Sequence, residues 1–234
     1  MSHDERIPVL MPCRPDGGER DVLRSFVQEW FWRRLEGAYR GPILGESPDG
    51  PFNRAAAIND AARRAGDWDL AVIADGDVVV PDYQLSEAVQ LARRTGRMVA
   101  PFTAVLELDR ESTRTLVGHC AAIWPWGLRV ERVRTSQLGT QSLMLVVPRR
   151  LWDSIGGFDE GFVGWGGEDN AFWRAAEILG GAPLRVDGGI YHLYHETTDP
   201  VTRSMDPQWR ANFARWRRYE QATCECSLRR AQQS

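Results

Sequence analysis

Residues 70–74 (Leu-Ala-Val-Ile-Ala) are apolar at every position, with Asp69 before them and Asp75-Gly76-Asp77 after them. A strand with one wet face alternates apolar and polar side chains. A short run without alternation is a strand covered on both faces, the pattern of a central strand in a parallel sheet. Such a strand requires a layer of helices on each side, and the flanking sequence supplies them. Residues 7–12 read as a buried strand running into a Pro/Gly loop, and 42–44 as a short strand before a loop at 45–51. Helical spacing of apolar residues marks 19–39 and 83–95. Asn53 caps an Ala-rich helix ending near Gly66, and 98–102 read as another strand. This alternation predicts an α/β fold with a mostly parallel sheet.

The second half reads less regularly. A strand at 143–147 is followed by a short helix at 149–155, a glycine- and aromatic-rich loop at 156–167, a helix at 168–179 and a strand at 190–194. An Arg- and Trp-rich tail from 207 to about 224 reads as helical. With 234 residues and no repeat or linker, one domain is expected. A regular first part would span about 7–105, a less regular second part about 135–200, and a helical tail 207–234.

Composition excludes several classes. Hydrophobic residues are 43% and charged residues 26%, so chain-long disorder is ruled out. All 29 basic residues are Arg, which removes Schiff-base and P-loop lysine chemistry and suggests a GC-rich coding genome, prokaryotic or phage-like. A net charge of -3 without a basic run argues against a dedicated nucleic-acid-binding surface. Four Cys in a chain this long make no disulfide framework, and no apolar run approaches the roughly 18 residues of a membrane span. A soluble, cytoplasmic protein in a reducing compartment is expected. Ten Trp is a high count, and aromatic faces suit sugars or other flat apolar surfaces.

Three constellations carry chemistry. Asp75-Gly76-Asp77 sits at the carboxyl end of the central strand, where open α/β sheets place ligands. Two carboxylates split by glycine there suit magnesium or manganese, although an acidic turn ending a strand would read alike. Residues 156–170 combine glycine pairs with Trp165 and the acids Glu168 and Asp169. Acids favour a first helical turn by about 0.3–1 kcal/mol each, which explains the acids but not the glycines or the Trp. Residues 191–196 hold His192 and His195, either of which would complete a metal site begun by Asp77. His119 reads as structural, and His3 lies in an unstructured start.

Together these motifs resemble the GT-A-fold glycosyltransferases. The chain is similar to the β-1,4-galactosyltransferase family, with relatives among the polypeptide N-acetylgalactosaminyltransferases and family 2 enzymes. The resemblance rests on Pro12-Cys13-Arg14, Phe52-Asn53-Arg54-Ala55, Asp75-Gly76-Asp77, Trp165-Gly166-Gly167-Glu168-Asp169 and His192-Leu193-Tyr194-His195, in family order over roughly 7–196. It implies a Rossmann-like GT-A sheet and Mn2+ (or Mg2+) as cofactor. Pro12, Arg14, Phe52, Asn53, Arg54, Asp75 and Asp77 would bind the UDP-sugar. Asp77 with His192 or His195 would hold the metal. Trp165, Gly166, Gly167, Glu168 and Asn170 would meet the acceptor, and Asp169, with Glu168 beside it, would be the catalytic base of an inverting transfer. Asn170 stands where galactosyltransferases usually carry Asp, and the family's secretory anchor and disulfides are missing, so a glycan, lipid, protein or nucleobase acceptor stays open. The rival readings are a nucleotidyltransferase or sugar-phosphate pyrophosphorylase, which the absence of Lys disfavours, and a catalytically silent nucleotide-sugar-binding relative, which the intact acids disfavour.

Overall fold

The computed structural model describes residues 6–34, 37–118, 127–135, 141–196 and 205–233; His3, His119 and Cys120 lie outside them. The apolar run is strand β3 (Leu70–Ala74), buried at all five positions. It lies inside a six-stranded sheet of order β2-β1-β3-β8-β5-β9, with β1 Ile7–Cys13, β2 Tyr39–Glu46, β5 Val99–Ala100, β8 Met144–Pro148 and β9 Leu184–Arg185. β1 runs parallel to β2 and β3, and β5 parallel to β9. β8 alone runs against both its neighbours. Among the described residues no strand–helix–strand crossover leads into β8, so the right-handed crossover rule does not set its direction. Its reversal has a consequence, because Met144 opens β8 beside Ala74, at the end of β3 that leads into Asp75.

Helices α1 (Glu19–Arg34), α2 (Arg54–Arg64) and α3 (Asp82–Thr95) come from the first half, as the apolar spacing requires. Asn53 caps α2, its Oδ1 accepting from the Ala56 amide at 2.9 Å. The alanine face of α2 (Ala55, Ala57, Ala61) is fully buried. It packs so close to β2 that a Cβ on Gly45 would lie 1.8 Å from the Ala57 carbonyl oxygen. Backbone meets backbone here, and neither side has a rotamer with which to yield. Gly45→Ala is therefore expected to destabilise the fold by about 1–3 kcal/mol or more, read as a lower urea midpoint at an unchanged slope.

A smaller sheet of order β4-β10-β6-β7 lies outside the sequence expectation except for β10 (Gly189–His192). β4 (Val78–Val79) is too short to signal itself. β6 is Ala104–Leu108, and β7 (Val130–Thr135) is an exposed, charged edge whose alternation carries little apolar signal. Helices α4 (Arg110–Gly118), α5 (Arg149–Ile155), α6 (Glu168–Gly180), α7 (Pro207–Gln221) and α8 (Glu225–Gln232) complete the fold. Among the described residues no helix is long and apolar enough to cross a membrane.

Candidate active site

The chain leaves β3 through Asp75-Gly76-Asp77 and enters β4, which pairs antiparallel with β10 so that Val78 faces His192. The Leu193 amide donates to the Asp77 carbonyl at 2.8 Å, fixing the two segments against each other. Two stretches more than a hundred residues apart thereby bring three side chains together. His195 Nε2 lies 3.1 Å and His192 Nε2 3.9 Å from Asp77 Oδ2. Ligand atoms of Asp77, His192 and His195 all fall within 4.8 Å of one another. Burial opposes charge on Asp77, but the two imidazoles prevail and hold its carboxyl at about 2. Burial lowers the His192 pKa, whereas the hydrogen bond to Asp77 raises that of His195. His195 Nδ1 lies 3.0 Å from the Glu196 carbonyl and 3.3 Å from Arg20 Nη2, while its Nε2 faces Asp77. One carboxylate and two imidazoles form an N/O donor set suited to manganese, and the geometry keeps both histidines as candidate partners of Asp77.

A second cluster is built around Arg54, the first residue of α2. Its Nε and Nη2 donate to Asp75 Oδ1 at 3.0 and 2.7 Å, and its Nη1 donates to Asp169 Oδ1 at 3.1 Å. Glu168 Oε1 lies 3.6 Å from the same Nη1. The Arg54 side chain is only 15% exposed. Burial disfavours its charge, but three carboxylates around it keep the guanidinium ionised. Burial raises Asp75 to about 6 against the pull of Arg54, with Asp77 and Asp169 adding repulsion. Glu168 is raised well above the usual carboxyl range by burial and by the neighbouring Asp169 charge. Its Oε2 is buried and has no hydrogen-bond partner. Arg54 thus ties the strand-end acids to the acids that open α6.

Leu143 sits beside this cluster with φ of 74°, the left-handed region that a leucine rarely adopts. Its carbonyl accepts from the Asp75 amide at 2.9 Å, so the strained residue pins the backbone of the acidic turn.

The glycine-rich loop is positioned from two sides. The Gly164 amide donates to the Phe52 carbonyl at 2.8 Å, and Asn53 Nδ2 donates to the Glu160 carbonyl at 2.7 Å. Asn53 is buried, and its amide is engaged by the cap and the loop together. From the other side α7 grips the loop. Asn212 Nδ2 donates to the Val163 and Trp165 carbonyls at 2.8 and 3.2 Å. Arg215 donates twice to Asp159, at 2.7 and 2.9 Å, and the Tyr219 hydroxyl donates to Asp159 Oδ2 at 2.7 Å. Gly167 caps α6 at φ of 97°, where a Cβ would lie 2.8 Å from the Phe162 ring, so glycine is required before Glu168.

Between this loop and α7 opens a cleft of about 480 Å³, lined by Trp165, Gly166, Gly167, Glu168, Asp169 and Asn170 together with Trp209, Phe213 and Trp216. The last three escaped the motif reading, although their i, i+4, i+7 spacing marks one face of a helix. Arg14 follows β1, donates to the Gly50 carbonyl and lies over the Phe52 ring at 5.6 Å. Pro12 is partly buried near the end of β1.

Residues 130–196 match the family described as the N-terminal domain of galactosyltransferase. No curated protein matches the sequence. Among solved structures, the catalytic domain of Drosophila β1,4-galactosyltransferase 7, in complex with xylobiose, superposes with a TM-score of 0.55 at 17% identity, covering 94% of this chain and 82% of that one. Glucosyl-3-phosphoglycerate synthase from Mycobacterium tuberculosis, in complex with Mn2+, UDP and glucosyl-3-phosphoglycerate, superposes with a TM-score of 0.50 at 17% identity, covering 90% of this chain and 78% of that one. The chain has the GT-A glycosyltransferase fold.

Proposed function

We propose that this GT-A chain is a metal-dependent, inverting glycosyltransferase that moves a sugar from a UDP-sugar to an acceptor hydroxyl. The observation that carries the reading is one continuous set of side chains. Asp77, His192 and His195 would make a cation site at the end of the central strand, and Arg54 links the neighbouring Asp75 to Asp169 and Glu168 in the lining of an aromatic cleft. The Drosophila galactosyltransferase structure holds xylobiose and the Mycobacterium tuberculosis synthase structure holds Mn2+, UDP and glucosyl-3-phosphoglycerate, each in its own protein, which supports a sugar-transfer reading.

Asp77, His192 and His195 would hold Mn2+ or Mg2+, which when bound neutralises charge on the departing diphosphate. The protein's own residues do the rest. Arg14 and Phe52 stand where a nucleotide base or phosphate would lie, at the end of β1. Asp169 opens α6, where the helix N-terminus favours a carboxylate, and it takes the proton of the attacking hydroxyl. Arg54 fixes Asp169 Oδ1, so the base keeps one orientation. A carboxylate base on the face opposite the leaving group produces a single displacement with inversion. A reducing, cytoplasmic setting fits Cys13, Cys224 and Cys226, which are all free thiols.

The test is slow donor hydrolysis. Incubated with UDP-galactose, UDP-glucose or UDP-N-acetylglucosamine and Mn2+, the protein is expected to release UDP from at least one. A chelator and Asp77→Ala should each abolish that release. Hydrolysis unaffected by the chelator overturns the metal assignment, and formation of UTP and sugar 1-phosphate on addition of pyrophosphate would make the chain a nucleotidyltransferase.

A further inference from the structure

The two histidines beside Asp77 are held by unlike means. His192 ends β10 and is paired on both sides, to Val78 of β4 and to Glu107 of β6, so the sheet fixes its place. His195 lies past the end of that strand, where no ladder pair sets its position. A ligand on a loosely held segment binds a metal weakly, because part of the binding free energy goes into ordering that segment.

The segment around His195 is held by α4, which follows β6 in the chain. The Tyr194 amide donates to Thr113 Oγ1 at 2.8 Å, and Thr113 is buried. Arg110, the first residue of α4, lies over the Tyr194 ring at 4.7 Å. Its Nη2 donates to the Tyr194 hydroxyl at 3.4 Å and to Glu196 Oε1 at 3.0 Å. Its Nη1 lies 3.6 Å from Glu19 Oε1 in the first turn of α1, and Arg20, next in that turn, reaches His195 Nδ1 at 3.3 Å. One guanidinium therefore meets the residue before His195, the residue after it and the helical turn that touches its ring. The Arg110 side chain is 39% exposed, and each of its ion pairs alone is worth little at the surface. A rigid planar fork that engages three groups restricts the segment more than separate pairs would, since the side chain is ordered only once. Neither Arg110 nor Thr113 belongs to a motif recognised in the sequence.

We propose that Arg110 is a positioning residue. From α4 it clamps residues 194–196 so that His195 is presented towards Asp77, and it thereby sets the affinity of the site for a divalent cation. This rests on the reading of Asp77, His192 and His195 as a cation site. Charge alone predicts the opposite sign. Arg110 is itself a cation, so deleting it should tighten the binding of a dication if it acted only through space. Deleting a clamp should weaken that binding.

Mn2+ alone, titrated against the protein by electron paramagnetic resonance, separates the two, because the free ion carries the signal and the bound ion loses it. The wild type is expected to bind Mn2+, and Arg110→Met to bind it about tenfold more weakly, the low end for loss of an outer-shell partner. Arg114→Met removes an exposed cation from the same helix and is expected to keep the wild-type affinity. Without metal, Arg110→Met should melt close to the wild type, while the rise in melting temperature on adding Mn2+ should shrink. Unchanged or tighter Mn2+ binding by Arg110→Met overturns the proposal, and so does an equal loss in Arg114→Met. A markedly lower metal-free melting temperature would make Arg110 a residue of the fold and overturn it too. Absence of Mn2+ binding by the wild type, or binding that survives Asp77→Ala, overturns the cation-site reading and the proposal with it.

Discussion

Arg54→Met is expected to cost about 3–5 kcal/mol of stability, the usual result of stranding buried charges by removing their partner. For a chain of this size that corresponds to a melting temperature roughly 6–20 °C lower. The reason is local. Asp75, Glu168 and Asp169 converge on one guanidinium that is itself largely buried, and no other cation among their described contacts neutralises all three. The loss should depend on pH with a definite sign. Burial and Asp169 already raise the Glu168 pKa in the folded protein, so folding favours its protonated form. A group with a raised folded pKa contributes stability below its unfolded value and loses that contribution as pH rises through the folded value. Without Arg54 that effect grows, so the gap between variant and wild type should narrow on acidification and widen towards alkaline pH. Thermal melts from pH 5 to 8 decide it, and a gap independent of pH would mean that Arg54 acts through packing alone.

Asp169→Asn is expected to lose about 10²–10⁴-fold in kcat, the range of a general-base contribution, with UDP–Mn2+ binding retained. Asparagine keeps the size of the side chain and an oxygen for Arg54 Nη1, but it cannot take a proton from the acceptor hydroxyl. Glu168 is a poor substitute, because burial holds its carboxyl towards the protonated form. With an α-linked UDP-sugar, the wild type should yield a β-linked product, read from the anomeric proton coupling. An α-linked product would require a different mechanism, and near-normal turnover by the variant would move the base elsewhere.

Local patterning determined much of the fold and the chemical identity of the site. An unbroken apolar run followed by Asp75-Gly76-Asp77 is legible because burial on both faces of a strand leaves no room for alternation, and strand-end acids follow from chain order alone. Asn53 as a cap and Gly167 before Glu168 are equally local, since each answers to the backbone of its own helix terminus. Only the tertiary structure decided what these residues do to one another. The reversal of β8, the short β4–β10 pairing that joins Asp77 to both histidines, and the reach of Arg54 to acids more than a hundred residues away depend on register between distant segments. The aromatic face of α7 was visible as spacing in a polar tail, but spacing says which side chains share a face and not what that face meets. That follows from where Asn212, Arg215 and Tyr219 fasten the helix, a long-range packing choice that no local window of the sequence contains.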